Sequence, residues 1–442
     1  MDKNVNRIIK METRRQRAEL QLIPSENYVS KNVLRALGSV FTNKYAEGYP
    51  EKRYYQGNKY ADQIEKLAIQ RAKILFDTPF ANVQANSGSP ANLAVLFALL
   101  DVGDTIMGMS LSSGGHLTHG HPKVTLSGKF FNSIQYGVSP EGFIDYKVMR
   151  EMAHQHKPKL IISGGSAYSR TIDFKLIGEI AKEVGAYHMA DISHIAGLVV
   201  AKTHPSPTPF ADIITTTTHK TLRGPRGALI LTTDAGTNKD PELASKIDKA
   251  IIPGTQGGPH LNNIAGIAVA LGEAQSPQFT EYINQVVLNS KALCNVFIKK
   301  GYTIISGGTD THLLLLDVSA KNIDGWAAAW ALEYAGVIVN RNIIPFDTKT
   351  PFYPSGIRLG SPALTSRGMK EEQMEYVATI IDKTLNYTVR SMDTNFSNNS
   401  KGENKEKRAV FLKKLKTDTY LKEIKKEVAD FASRFPIYPT IE

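Results

Sequence analysis

KLIISGGSAYSRTIDFKLIGEIAKEVGAYHMAD (159–191) decides the fold class. KLIIS (159–163) and AYHMAD (186–191) have the length and composition of buried or half-buried strands. Between them, KLIGEIAKEVGA (175–186) repeats apolar residues at three- and four-residue spacing and meets Gly185 where a helix should stop. ADIITTTTH (211–219) supplies a further strand. Strand, helix and strand repeated in this way predict a mostly parallel sheet with helices on its faces, an α/β fold.

Outward from this segment, DQIEKLAIQRAKILF (62–76) has the spacing of an amphipathic helix. On the other side, 270–301 breaks at Pro277 and continues as a helix with Ile283, Val286, Val287, Leu293, Cys294 and Phe297 on one face. Cys294 is thereby expected to be a packed core thiol. GYTIISGGTDTHLLLLDV (301–318) reads as two strands about a glycine-rich turn, and WAAAWALEYAG (326–336) as a helix. The expected organisation is an N-terminal arm over 1–45, a large domain over 46–270 and a smaller α+β domain over 271–442. MDTNFSNNSKGENKEKR (392–408) is polar, and is expected to be a flexible loop before a last basic helix.

The chain has 442 residues, 42% hydrophobic and 21% charged, with a single cysteine, which excludes a disulfide-built scaffold. A formal charge of +11 raises nucleic acid or an acidic membrane surface as a partner. The location of the charge narrows this. Residues 1–17 carry six Lys/Arg against two acids and 401–427 carry ten against five, so nine of the eleven excess charges lie at the two ends. No run approaches the ~20 apolar residues that span a bilayer, and 1–17 has no signal-peptide core, so a cytoplasmic location is expected.

TTTTHKTLRGPRG (215–227) delivers His219 and Lys220 from a β-branched strand into a Gly/Pro loop, at the sheet edge where open α/β folds bind ligands. Twenty-nine residues upstream of Lys220 the previous strand ends in Asp191. An amine and a buried carboxylate at the ends of neighbouring strands are what pyridoxal phosphate needs: the lysine forms an imine with the aldehyde, and the aspartate keeps the ring nitrogen protonated. NSGSPANLAVLFALL (86–100) offers a phosphate cradle, with Ser87, Gly88 and Ser89 ahead of an apolar helix. PGTQGGP (253–259) offers further backbone amides.

Here the residues resemble the serine hydroxymethyltransferase family. LIPSENYVS (22–30), NKYAEGYPEKRYYQG (43–57), NSGSPAN (86–92), GGHLTHG (114–120), SAYSR (166–170), ADISHIAGLV (190–199), TTTTHKTLRGPRG (215–227), GTQGGP (254–259), SGGTDTHLLLLD (306–317) and GIRLGSPALTSRG (356–368) look like its signatures, in order and at about its spacing. The resemblance implies an aspartate-aminotransferase-like large domain (fold type I) and a homodimer, or a tetramer, with shared active sites. It implies pyridoxal phosphate on Lys220, Asp191 at the pyridine nitrogen and His116 stacked on the ring. Ser166 and His194 would lie near the ring hydroxyl, and Gly88 and Ser89 at the phosphate. Tyr45 and the Gly257–Gly258 backbone would reach the phosphate from a neighbouring subunit. Arg226 would support the cofactor loop, His219 would set reaction specificity, and no metal is called for.

On the substrate side an amino-acid carboxylate suits a planar, doubly donating cation, and Arg358 in GIRLG answers to it. Ser25 and Tyr55 resemble the family's additional donors. Glu47 in YAEGY resembles the acid/base group beside the serine hydroxymethyl group and the folate. Tetrahydrofolate would meet Leu111, Gly115, His116 and Leu117 on one side and Asn342, Thr350, Pro351 and Phe352 on the other. The chain departs from the commonest pattern at Gln56, Ser193, Ala228 and 121–129. The implied reaction converts L-serine and tetrahydrofolate to glycine and 5,10-methylenetetrahydrofolate, a step of one-carbon metabolism. The rivals are a folate-independent threonine or allo-threonine aldolase, an α-methylserine hydroxymethyltransferase, and a nucleic-acid-binding protein on an inactive scaffold.

Overall fold

The computed structural model describes residues 2–122, 124–394, 396 and 401–438, with backbone alone for 401–403. The chain divides into two compact units, Val29–Asn284, and Met1–Tyr28 together with Gln285–Glu442.

The first unit is built on a seven-stranded sheet. Its strands are β1 Phe80–Asn82, β2 Thr105–Met109, β3 Asn132–Tyr136, β4 Leu160–Ser163, β5 Tyr187–Asp191, β6 Ile213–Thr217 and β7 Ala228–Thr232. They lie in the order β1-β7-β6-β5-β4-β2-β3, with β7 antiparallel to both neighbours and every other pair parallel. The helix Phe174–Glu183 joins β4 to β5, and Gly185 follows at φ 72°. β4, β6 and β7 are buried along their whole length, which is why their sequences run apolar or β-branched instead of alternating. Leu96, Ile106, Leu160, Ile162, Met189, Ile213 and Ile230 belong to the core of this unit. After β2 the chain goes outward to β3, then returns to lay β4 on the other side of β2. The loops leaving β2, β4 and β5 therefore open at a switch point, where doubly wound sheets bind ligands.

The second unit holds a four-stranded antiparallel sheet in the order Thr303–Ile304, Leu313–Asp317, Gly356–Gly360, Asn340–Asn342. Leu20–Gln21 pairs in parallel with Val337–Ile338. Arg367, 6% exposed, ties the N-terminal helix Lys3–Ala18 to the last helix, Thr419–Ser433. Its guanidinium donates to the carbonyls of Arg17 (2.8 Å), Glu19 (2.9 Å), Ala432 (2.7 Å) and Phe435 (2.8 Å). Cys294 is 3% exposed among apolar neighbours of the same unit.

The loop expected over 392–408 is corrected in part. A helix runs Lys401–Thr417 and a second begins at Thr419, with the Asp418 carboxylate accepting from the Leu421 amide (2.8 Å). The sequence suggests loop because its polar composition hides three anchors, Met392, Phe396 and Arg408, each under 9% exposed. Residues 395 and 397–400 of that stretch lie outside the described residues.

Candidate active site

Asp191 ends β5 and is 8% exposed. One carboxylate oxygen accepts from Asn92 Nδ2 (2.8 Å) and His119 Nε2 (3.1 Å), the other from the Ser193 amide (3.0 Å). Burial opposes its ionised form, yet the hydrogen bond from His119 and the charge of Lys220 hold it far below the usual carboxylate range. The His116 amide donates to His119 Nδ1 (3.3 Å), which leaves the His119 proton on Nε2, facing Asp191.

Asn92 and Thr118 join these groups. Asn92 Nδ2 also donates to Thr118 Oγ1 (2.8 Å), and Asn92 Oδ1 accepts from Thr215 (2.7 Å). Thr118 Oγ1 lies 2.7 Å from His116 Nδ1, which orients that ring. Asn92, Thr118, His119 and Thr215 are therefore site residues that sequence reading missed. Asn92 and His119 stood inside quoted motifs, one helical turn past Gly88 and three residues past His116. Gly114, at φ 106°, accepts the Ser166 and Ala167 amides (2.7 and 3.0 Å), so the loops after β2 and β4 are laced together. His194 is 5% exposed, and its carbonyl accepts from Thr221 (3.2 Å).

Lys220 and His219 occupy a loop that closes on itself. The Thr218 amide donates to Gly227 O (3.0 Å), the Gly224 amide to Thr218 O (2.7 Å) and the Arg223 amide to Lys220 O (3.1 Å). His219 Nδ1 is buried and has no hydrogen-bond partner among the described residues. Burial first, then the Lys220 and Arg226 charges, push the His219 imidazole down to about 3. The Arg226 side chain is exposed.

The helix Gly88–Leu99 starts at Ser87, whose hydroxyl makes no capping bond. A Cβ on Gly88 would stand 2.7 Å from Thr217 Cγ2, so the helix start sits directly against the end of β6. The amides there, half-buried with Ser89, are free of a side-chain cap and could take an anion, as helix N-termini do.

A second cluster gathers Tyr45, Glu47, Tyr55 and Gly257–Gly258. Tyr55 donates to Glu47 Oε2 (2.6 Å), and the Tyr45 and Tyr55 rings meet edge-on at 5.7 Å. A Cβ on Gly258 would lie 3.6 Å from Glu47 Cγ and 3.7 Å from the Tyr45 ring. Gln256 fastens this loop to the core, bonding Gln84 O (2.8 Å) and the Asn86 amide (3.0 Å). Tyr45 is 62% and Tyr55 42% exposed. Leu111 lies in the short turn Leu111–Ser113 after β2, and Leu117 is exposed.

The remaining candidates belong to the other unit. Arg358 lies on the strand Gly356–Gly360, with its Nε on Asn340 Oδ1 (3.2 Å). Burial lowers it to about 10. Pro24, next to Ser25, packs on Gly360, two residues from Arg358. Asn342 is on the adjacent strand, opposite Gly356. Thr350 lines a cleft with Tyr353 and Arg408, while Pro351 and Phe352 are exposed.

A family model described as serine hydroxymethyltransferase matches residues 1–381. The serine hydroxymethyltransferase of Acidothermus cellulolyticus is 52% identical over 383 residues, 86% of this chain and 88% of that protein. That of Desulfotalea psychrophila is 52% identical over 385 residues, 87% and 89% of the two chains. Identity at that level over nearly the full length of both relatives, on an α/β sheet of this order, leaves one reading: the chain belongs to the serine hydroxymethyltransferase family, of fold type I.

Proposed function

We propose that the chain converts L-serine and tetrahydrofolate reversibly to glycine and 5,10-methylenetetrahydrofolate, with pyridoxal phosphate as cofactor. The observation that supports this most is Asp191, a buried carboxylate kept ionised beside the loop of Lys220, in a chain of this family. The residues present fit the cofactor: an anion to face a protonated ring nitrogen, an uncapped helix start without a Cβ to take a phosphate, and an amine 29 residues past the anion. When bound, pyridoxal phosphate supplies an electron sink for the pair left on the substrate α-carbon.

Asp191 would hold the proton at the ring nitrogen, fixed there by Asn92 and His119. Lys220 would hold the cofactor through its amine. Gly88 and Ser89 would bind the phosphate, while His116, oriented by Thr118, would cover one face of the ring. Ser166 and His194 would stand at the ring hydroxyl. Arg226 would support the loop, and His219, kept neutral, would set reaction specificity. Arg358 would bind the substrate carboxylate, with Ser25 and Tyr55 as further donors. Glu47 would move the proton at the hydroxymethyl oxygen or the folate nitrogen. Leu111, Gly115, Leu117, Asn342, Thr350, Pro351 and Phe352 would bound the folate. The cluster of Tyr45, Glu47, Tyr55 and Gly257–Gly258, whose two tyrosines are exposed, would complete the site of a second copy, giving a homodimer with shared sites.

The test is exchange of the glycine α-proton with solvent, with and without tetrahydrofolate. Marked acceleration by folate is expected, and Lys220→Ala should abolish exchange in both conditions. Equal rates with and without folate would sink the transferase reading and leave a folate-independent aldolase.

A further inference from the structure

Glu47 follows a stretch of irregular chain and precedes a small hairpin, Gly48–Tyr49 paired with Lys52–Arg53. The carbonyls on either side of it, Ala46 O and Gly48 O, both accept from Nη1 of Arg53, at 2.9 and 2.8 Å. The same guanidinium gives Nε to Asp62 Oδ1 (2.9 Å) and Nη2 to Glu65 Oε2 (2.6 Å). Gln84 Nε2 adds a second donor to Gly48 O (3.0 Å) and bonds the other oxygen of Glu65 (2.7 Å). Glu47 O itself accepts the Tyr54 amide (3.1 Å). The Arg53 side chain is 3% exposed and that of Glu65 1%, so water does not compete for these bonds.

The hairpin sequence is shaped for this. Gly48 sits at φ 92°, and a Cβ there would collide with Lys52 O. Pro50 and Glu51, the latter at φ 66°, make the turn that returns Arg53 beneath Gly48. A planar fork of five donors can reach two carbonyls and two carboxylates at once, and an ammonium cannot.

We infer that Arg53 is a positioning residue for Glu47: it grips the carbonyls of the residues before and after Glu47, braced by Glu65 and Gln84, and so fixes where the Glu47 carboxylate is presented. Tyr55, the direct partner of that carboxylate, lies two residues beyond Arg53 on the same returning strand end, so the grip sets both members of the pair. This rests on the reading of Glu47 as the proton-handling group, and the experiment separates the two.

Four proteins are compared in the folate-dependent reaction: the wild type, Glu47→Gln, Arg53→Lys and the double variant. Misplacing a reacting group by about 1 Å costs on the order of 10²-fold, so Arg53→Lys is expected to lower kcat by roughly 10–100-fold with little change in KM for serine. The double variant is expected to be no slower than Glu47→Gln alone, because placement is immaterial once the carboxylate is gone. A kcat of Arg53→Lys equal to wild type, or losses that multiply in the double variant, overturns the inference. Wild-type kcat in Glu47→Gln overturns it by another route, through the role of Glu47 itself. Should Arg53→Lys fail to fold, Gln84→Met, which keeps Arg53 and removes the second donor to Gly48 O together with the Gln84 bond to Glu65, is read by the same criteria, with an expected loss of about fivefold in kcat.

Discussion

His188 shows at the residue scale how burial turns a side chain into a pH-dependent contribution. On β5 it is 1% exposed, its Nδ1 donating to Phe210 O (3.0 Å) and its Nε2 accepting from Ser163 (2.8 Å). Burial holds its imidazole down at about 4 against an ordinary value of 6.5. Between those values the unfolded chain binds the extra proton and the folded chain does not, so stability falls as pH falls through that window. A loss of roughly 1.5 kcal/mol between pH 6.5 and 5 is expected from this residue. Urea midpoints across that range check it, and His188→Gln should flatten the slope. Asn92 and His119 illustrate a different point about single residues. Both stood in recognised stretches, but nothing within their own segments indicates that they meet on Asp191. Their role depends on neighbours 99 and 72 residues away, which periodicity cannot register.

At the scale of elements, legibility follows locality. The strands ending in Ser163 and Asp191, the strand before Lys220 and the helix between the first two were readable because burial on a strand or helix leaves a short-range pattern. The hairpin that carries Arg53 has two-residue strands, too short for any pattern. The segment before Thr417 fails for the opposite reason, since polar composition outweighs its few long-range anchors. Arg408 on the Lys401–Thr417 helix is buried among Trp326, Tyr353 and Phe396, its guanidinium 3.7 to 4.5 Å from the three ring centroids. It bonds Asp324 Oδ2 (2.6 Å), while Asp324 Oδ1 caps the helix Gly325–Tyr334 through the Ala327 amide (2.8 Å). Removing one partner of a buried pair strands the other. Arg408→Met is therefore expected to cost about 3 kcal/mol and to be seen as a lower thermal midpoint, whereas exposed lysines of the same helix should be neutral on substitution. An unchanged midpoint in Arg408→Met would show that this helix is not anchored through the pair.

On the scale of the whole molecule, the excess charge reads differently once the ends are placed. Both basic termini lie in the unit formed by Met1–Tyr28 and Gln285–Glu442, and its Arg367 holds them by four main-chain carbonyls at 2.7 to 2.9 Å. None of those acceptors is a carboxylate, so the arginine acts as a donor array and not as half of an ion pair. Lysine keeps the charge but cannot span the four acceptors. Arg367→Lys is expected to destabilise this unit by about 2–3 kcal/mol, with increased hydrogen exchange at the amides of both terminal helices. Exchange that rises at one end alone would refute the tie.

That tie also carries a timetable. Val29–Asn284 is one continuous run of chain, whereas Leu20 must wait for Val337, and the Arg17 and Glu19 carbonyls for Arg367, whose guanidinium also takes the Ala432 and Phe435 carbonyls. At about 5–20 residues per second, the ribosome needs roughly 20–70 s to go from Arg17 to Arg367. Until Val337–Ile338 has emerged, the apolar Leu20 and Leu22 have no partner strand, so a segment made early is among the last to find its place.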